Sequence, residues 1–574
     1  MNYRQSLSEI IANCTSLPAA DILPSVENPQ DAKLGDMAFP CFRLAKELKK
    51  APPVIAGELA AQINESRPNW LQEARATGPY VNFFLDRATF AGNAFTEILT
   101  KGKNYGANGQ GTGKNVVMDY SSPNIAKPMH VGHLGSTIIG HSLDKIHRFL
   151  GYNVTAINHL GDWGTQFGKM IVAYQKWGNK EEIEKTEVDG LVALYVRFHQ
   201  EAENDPTLDD MAREWVVKLQ NGDEEGFALW RWFIDISLRE YEKQYARMGV
   251  SFDLYRGESY YNDKMDSVVN DLREKGLLKT SDGAQVVDLE EHKMPPCLIL
   301  RSDGGTLYAT RDLATAIDRQ NCFAFDKCLY VTGQEQILHF SQFFKVLELM
   351  GYPWAGGLVH IPYGMFRFEG GKMSTRKGDV IKMEDLMDEA VEKTRIVIEE
   401  KNPGLENKGK VAEQVGIGAM IFNKLYTNRI KDTVFNWEQM LNFDGETGPY
   451  VQYAHARACS VLEKGGYKPD QLVTVSHQLE FDPALLVEDE AFEIARIIYD
   501  FPAKIEEAAE KYEPFMIARQ LVALAQAFNS FYHHHIILVE DDNVKNARMA
   551  LVAAVQLQLE IGLGLLGMAA PRAM

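Results

Sequence analysis

Apolar positions along the chain follow two rhythms. Leu134, Ile138, Ile139, Leu143, Ile146, Phe149 and Leu150 recur mostly at steps of three or four, which is one face of a helix, and Gly151 follows where a left-handed cap ends such a helix. Short apolar runs flank this helix, Val116–Met118 before it and Val154–Ile157 after it. Strand, loop, helix and strand within about 45 residues predict a βαβ unit, the start of an open parallel sheet. Strand-like runs return at Cys328–Thr332 and Leu358–Ile361. Between them and the βαβ unit, Val172–Met294 reads as mostly helical and acidic, an insertion between two halves of the sheet.

From about Asp385 nearly everything reads as helix. Ile494, Ile497, Ile498 and Phe501 show the spacing of a core-facing helix, and the chain is expected to end in an all-helical domain of roughly 180 residues. Upstream lies a mixed α/β segment of about 100 residues, helix-like at Phe42–Lys50 and strand-like at Tyr80–Leu85. Lys101–Asn115, KGKNYGANGQGTGKN, is polar and glycine-rich and reads as a linker. It is not a phosphate loop of the G-x-x-x-x-G-K-[ST] kind, because Asn108 stands at the first glycine and Asn115 follows Lys114. No internal repeat occurs at solenoid periods.

Composition narrows the class. The 574 residues are 45% hydrophobic and 24% charged, the balance of a globular protein, which excludes disordered, collagen-like and mucin-like chains. At roughly 100–200 residues per domain, three or four domains are expected. No apolar run reaches the ~18 residues of a membrane span. The best candidate, Leu551–Met568, is interrupted by Gln556, Gln558, Glu560 and three glycines. The start, MNYRQSLSEI, lacks the basic and apolar regions of a secretory signal, so the expectation is a cytoplasmic protein with no membrane partner. Sixty basic against 79 acidic residues give −19, which argues against non-specific coating of nucleic acid but leaves local patches open. The six cysteines form no C-x-x-C pair, so neither a disulfide framework nor a structural metal is expected.

Two motifs carry chemistry. His130-Val131-Gly132-His133 follows a strand-loop and opens the helix. It puts two imidazoles on one face of a helix N-terminus, whose partial charge and free N–H groups suit an anionic phosphate. The plainer reading is two partly buried capping histidines, and a zinc site would want a third ligand. The second motif is Gly370-Gly371-Lys372-Met373-Ser374-Thr375-Arg376-Lys377-Gly378. Its glycines, cations and hydroxyls can wrap a triphosphate and follow charge onto a leaving pyrophosphate, and by itself it reads equally as a solvated basic turn. His533-His534-His535 is not expected to hold a metal, since adjacent helical side chains diverge.

In this order, the two motifs resemble the HIGH and KMSKS signatures of class I aminoacyl-tRNA synthetases. Longer runs are similar to arginyl-tRNA synthetases of bacterial type: Asp119–His133, Asn158–Gly168, Tyr308–Asp312, Thr447–Arg457 and the Arg-Ala-Met end. The resemblance extends from Gly35-Asp36 to Met574. It implies an α/β fold with a Rossmann-like catalytic domain over 107–390, carrying the helical insertion at about 172–294. An N-terminal α+β domain over 1–106 would contact the tRNA elbow, and a helical domain over 391–574 the stem and anticodon. It further implies an arginine–tRNA ligase, acting as a monomer on L-arginine, ATP with Mg2+, and the tRNA for arginine.

The residue roles are likewise implied by the resemblance. Lys127, His130, His133, Lys372 and Ser374 would be catalytic, and His130, Gly132, His133, Lys372, Met373 and Arg376 would bind ATP. Asp119, Ser121, Asn124, Tyr308, Asp312 and Gln336 would bind arginine. A guanidinium wants planar carboxylate or carbonyl acceptors, and Tyr308 and Asp312 share a helical face at i, i+4. Read alone, Tyr308 would be a core aromatic and Asp312 an N-terminal helix carboxylate or a salt-bridge partner of Arg311. Tyr450, Tyr453, Arg457, Tyr532 and Met574 would bind tRNA, the aromatics by stacking, against a bland reading as packing residues. Lys424, Arg429 and Lys431, interleaved with Tyr426, could track phosphates or form a solvated helix face. Two positions depart from the pattern: Thr375 replaces a signature lysine, for which Lys127 would compensate, and Gly135 replaces a common arginine. The rivals are a related nucleotidylyltransferase, another class I synthetase, and a catalytically silent tRNA-binding paralogue.

Overall fold

The run Tyr80–Leu85 forms the central strand of a three-stranded antiparallel sheet, with β1 (Met37–Pro40), β2 (Leu71–Thr77) and β3 (Tyr80–Leu85) in the order β1-β3-β2. Gly78 at φ +54° opens the two-residue turn between β2 and β3, a position that favours glycine. Helix Pro52–Glu65 packs on β2 and β3 and buries Ile55, Leu59 and Ile63. The helix predicted at Phe42–Lys50 ends at Leu48, capped by Lys49 in the left-handed region.

The computed structural model describes residues 2–15, 17–29, 31–368, 381–467 and 480–574. They fall into two units. The first comprises the chain to Tyr105 with Ala458–Asp500 and Gln526–Gln558; the second comprises Gly106–Arg457, Phe501–Ala525 and Leu559–Met574. The C-terminal helical region thus contributes to both units.

In the second unit the predicted βαβ start is present as β4 (Asn115–Asp119), helix Val131–Phe149 and β5 (Asn153–Asn158). The chain continues through β6 (Leu254–Tyr255), β7 (Leu278–Ser281), β8 (Ala284–Val287), β9 (Cys297–Leu300), β10 (Lys327–Gly333) and β11 (Leu358–Tyr363). The main sheet has the order β11-β10-β4-β5-β6, all parallel. Successive strands run outward from β4 to β6, and the chain then returns to β10 on the other side of β4. That reversal is the topological switch point, where open α/β sheets place ligands beyond the strand C-termini. Val117 of β4, Ile157 of β5 and Cys328 of β10 belong to one buried cluster with Leu313, Phe343 and Leu347.

The insertion differs from its prediction. Helices run from Thr165 to Met248, but β6 then joins the edge of the main sheet, pairing Ile157 with Leu254. β7 and β8 form a hairpin that pairs on with β9. Asp282 and Gly283 sit in its turn at φ +49° and +80°, so the D-G signal for a two-residue hairpin stood in the sequence and was outweighed by the surrounding helical pattern. A short parallel pair, β12 (Phe366–Phe368) and β13 (Thr433–Phe435), interrupts the helical C-terminal region.

Lys424 is neither a phosphate-tracking nor a solvated cation. It is buried, and its Nζ donates to Gly364 O (2.8 Å) and Thr433 Oγ1 (3.2 Å). Burial lowers its pKa to about 8. Arg429 is ion-paired with Glu513. Among the described residues one helix, Asp542–Leu565, is long and apolar enough to cross a membrane by length and composition, and most of it is buried in the protein.

Helix Val131–Phe149 approaches the sheet so closely that a Cβ at Gly140 would lie 2.2 Å from Cγ of the fully buried Tyr120. An alanine normally stabilises a helix interior relative to glycine. Here Gly140→Ala is expected to cost about 1–3 kcal/mol by overpacking, read as a lower denaturant midpoint with an unchanged m-value.

Candidate active site

At the C-terminal end of β4 the chain turns through Ser121 (φ +72°), Ser122 (φ +51°) and Ala126 (φ +59°), a backbone that L-residues rarely adopt. Hydrogen bonds hold it from several sides. Ser121 N–H donates to Ser136 Oγ (2.9 Å), Ser122 N–H to Asn158 Oδ1 (3.1 Å), and Ile125 N–H to Gly161 O (3.1 Å). Gly161 lies against Asn124, where a Cβ would meet Asn124 Oδ1 at 2.0 Å. Asn124 and Lys127 are exposed on this loop. The Ser121 hydroxyl is buried between Thr137 Oγ1 (2.8 Å) and Tyr245 OH (2.7 Å). The side chain thus helps to hold the loop.

His130 is the N-cap of helix Val131–Phe149. Its Nδ1 accepts Gly132 N–H (3.1 Å), and His133 Nδ1 accepts His130 N–H (3.1 Å), a reciprocal capping box. Val131 N–H donates to Ile381 O (3.2 Å) and His133 N–H to His130 O (2.8 Å). The expected free N–H groups of residues 130–133 are thus already satisfied. Because each Nδ1 accepts, each neutral ring carries its proton on Nε2 and offers an N–H donor there. Burial, with the nearby Lys127 charge, lowers the His130 pKa, and burial with the neighbouring His130 holds His133 at about 3. At neutral pH the pair offers two N–H donors and not two cations.

Lys372, Met373, Ser374 and Arg376, with Thr375, lie outside the described residues. The chain that follows them is tied to the first motif, since Met383 N–H donates to Met129 O (2.9 Å) and Ile381 accepts from Val131.

Asp119 is buried at the end of β4. Its Oδ2 lies 2.7 Å from Nη2 of the wholly buried Arg319, and its Oδ1 accepts the Ser122 hydroxyl (2.9 Å). Burial would raise its pKa, but the Arg319 charge and His159 hold it below the usual carboxylate range. Arg319 is seven residues after Asp312 on helix Tyr308–Phe323, so both lie along one side of it. Asp312 is partly exposed and accepts His339 Nε2 at 2.6 Å; Arg311 pairs instead with Glu258 (3.1 Å). Tyr308 is 71% exposed, which excludes the core reading. Gln336 is exposed on the turn after β10. Burial raises the Glu258 pKa to about 7 against the pull of Arg311. His159 donates from Nδ1 to Arg256 O (3.0 Å); burial lowers its pKa while the charges of Asp119 and Asp312 oppose that shift. Sequence reasoning did not single out His159, Glu258, Arg319 or His339. The i+7 spacing of Arg319 from Asp312 was the available signal for one of them.

Tyr450, Tyr453 and Arg457 follow one another along helix Gly448–Lys464, with the Arg457 guanidinium 4.8 Å from the Tyr453 ring centroid. Met574, in the same unit, packs on Ile398, Val411 and Val415, and its carbonyl accepts Asn402 Nδ2 (3.0 Å). Tyr532 belongs to the other unit and is 39% exposed. Gly135 has a local explanation: a Cβ there would lie 2.7 Å from Cε2 of Tyr363, so the β11 tyrosine fills the space beside it. Among the described residues no group of three or more His, Cys, Asp or Glu is placed to hold a metal.

A parallel sheet with the His-x-Gly-His helix beyond its central strand fits a class I aminoacyl-tRNA synthetase, and matches along the whole chain set it apart from a related nucleotidylyltransferase. Residues 94–437 match the family profile described as tRNA synthetases class I (R), catalytic domain; residues 1–85 match the arginyl tRNA synthetase N terminal domain; and residues 451–574 match the DALR anticodon binding domain. The chain belongs to the arginyl-tRNA synthetase family. It is 51% identical to the arginine–tRNA ligase of Alkaliphilus metalliredigens and 48% identical to that of Halothermothrix orenii, in both cases over 100% of each chain. The Thermus thermophilus arginyl-tRNA synthetase structure superposes with a TM-score of 0.81 at 25% identity, covering 100% of both chains.

The capping geometry makes a prediction for His133→Asn, whose amide oxygen can replace Nδ1 as acceptor while Nε2–H is lost. ATP–pyrophosphate exchange is expected to fall about 10²–10³-fold, the usual cost of one such donor. The His133 pKa is lower folded (about 3) than its ordinary 6.5, so the unfolded chain takes the proton first as pH falls, and this group's stabilisation is lost between those values. Wild type should therefore lose more stability than His133→Asn on going from pH 7 to pH 4, as read by denaturant midpoints.

Proposed function

We propose that this site activates L-arginine with Mg2+-ATP to arginyl-adenylate and then transfers arginine to the terminal adenosine of its tRNA. The observation that carries the reading is the neutral His130–His133 pair, capped on Nδ1 and donating from Nε2, stitched by Val131 and Met383 to the chain leaving the second signature. The arginine carboxylate attacks the α-phosphorus in line and pyrophosphate leaves. Positioning and electrostatic stabilisation supply most of the rate in such transfers. His130 and His133 stabilise the phosphate charge by hydrogen bonds, while Lys127, Lys372, Ser374 and Arg376 follow it, with Lys127 standing in for the lysine that Thr375 replaces. Gly132 lets the nucleotide approach the backbone, and Met373 is assigned to ATP binding by the family resemblance. A ribose hydroxyl of the tRNA terminus then attacks the activated carbonyl and AMP leaves.

For the amino acid, Asp312 and Tyr308 take the guanidinium, with Asn124 and Gln336 completing the contacts. Asp119, already committed to Arg319 and Ser122, adds its field and anchors the loop. Tyr450, Tyr453, Arg457, Tyr532 and Met574 serve tRNA, with 1–106 as the elbow-binding domain, 107–390 as the catalytic domain and 391–574 as the stem and anticodon domain. By family analogy the enzyme works as a cytoplasmic monomer.

The test is pyrophosphate exchange into ATP with each amino acid in turn, with and without total tRNA. Exchange is expected with arginine alone and only when tRNA is present. Asp312→Asn should raise the KM for arginine at least about tenfold, since a charged hydrogen bond contributes roughly 1.5–3 kcal/mol. Tight tRNA binding with no exchange for any amino acid would instead assign a silent tRNA-binding paralogue.

A further inference from the structure

The left-handed loop Ser121–Lys127 is held from one side by three hydroxyl side chains of helix Glu224–Met248. They are Ser237, Tyr241 and Tyr245, spaced four residues apart and so aligned on one face. Tyr245 OH lies 2.7 Å from Ser121 Oγ and accepts Asn158 Nδ2 (3.0 Å). Ser237 spends its own proton on Phe233 O (2.8 Å) and accepts Ala126 N–H (3.0 Å), fixing the left-handed Ala126. Tyr241 OH lies 2.6 Å from both Asn124 O and Lys127 O. One buried phenol thus gathers the two carbonyls that bracket Ile125 and Ala126, at two residues with exposed side chains to which the proposed function gives arginine and phosphate contacts. Burial raises its pKa, so the group stays a donor across the working range.

We infer that helix Glu224–Met248 is the template that sets the active-site loop, with Tyr241 the positioning residue for Asn124 and Lys127. The segment read from sequence as an insertion between halves of the sheet is then part of the adenylating machinery. Ser121 Oγ and Ala126 N–H each bond to this face and the two bracketed carbonyls share the Tyr241 proton, so the loop geometry depends on a helix more than 100 residues further along the chain. The inference rests on the proposed roles of Asn124 and Lys127.

Tyr241→Phe removes one oxygen and keeps the ring. In arginine-dependent pyrophosphate exchange it is expected to raise the arginine KM and to lower kcat, each about tenfold, the scale of one buried hydrogen bond, with tRNA affinity unchanged. Lys127→Ala should cost clearly less in the Tyr241→Phe background than in wild type, a coupling that a general loss of stability would not produce. Ser237→Ala, which removes the Ala126 acceptor together with the intrahelical bond to Phe233 O, should shift the same constants in the same direction, and it carries the test if Tyr241→Phe does not fold. Wild-type constants for Tyr241→Phe and Ser237→Ala, alongside impaired Asn124→Ala and Lys127→Ala, would overturn the inference alone. Wild-type exchange in Asn124→Ala and Lys127→Ala would overturn the site assignment and the inference with it.

Discussion

Arg319 has no surface in contact with solvent, and its guanidinium meets Asp119 at 2.7 Å at the point where the central strand ends. Removing two charges from water is costly, and such a pair is retained only where geometry and further hydrogen bonds offset that cost. Here Ser122 supplies the additional donor, and the Tyr330 ring lies 5.3 Å from the guanidinium carbon. The pair joins the two pieces of chain that carry the proposed ligand contacts. β4 leads into the loop with Asn124, Lys127 and His130, and helix Tyr308–Phe323 carries Tyr308 and Asp312. Losing either partner would leave a buried charge uncompensated and remove the direct tie between the two pieces, leaving the loop to its bonds from Ser136, Asn158, Gly161 and helix Glu224–Met248.

Around that anchor the polar groups are arranged mainly as fixed dipoles. The two histidines are neutral, each proton's place set by a backbone amide on the opposite nitrogen. His339 donates to Asp312, and Ser259 donates to Asp162 from both its N–H (2.8 Å) and its hydroxyl (2.7 Å). Groups oriented before the reaction need not reorganise as charge moves from carboxylate to pyrophosphate. The mobile cations that the sequence offered elsewhere are spent differently. Lys424 ties backbone carbonyls together and Arg429 neutralises Glu513.

The βαβ unit was legible because both faces of β4 and one face of the following helix are apolar, and the two motifs were legible because they are local. What escaped the sequence depends on contacts between distant segments. β6 is two residues long, too short for a period to register, and it exists because the sheet edge pairs with it. The D-G turn of the β7–β8 hairpin is a local signal set within a stretch of mostly helical pattern. Lys424 looked like a surface cation because a helix pattern does not reveal which carbonyls wait inside. Ser237, Tyr241 and Tyr245 have a visible spacing, but nothing local shows that a strained loop lies opposite.

Gly135 and Tyr363 occupy one volume between them. In a lineage carrying an arginine after the His-x-Gly-His motif, the long side chain would require the β11 tyrosine to withdraw or shrink. In this lineage the tyrosine ring already fills the space. Neither position can change freely ahead of the other, so a viable path between the two arrangements passes through a smaller residue at 363 before the glycine is replaced. The departure from the family pattern is thus a property of a pair of positions and not of Gly135 alone.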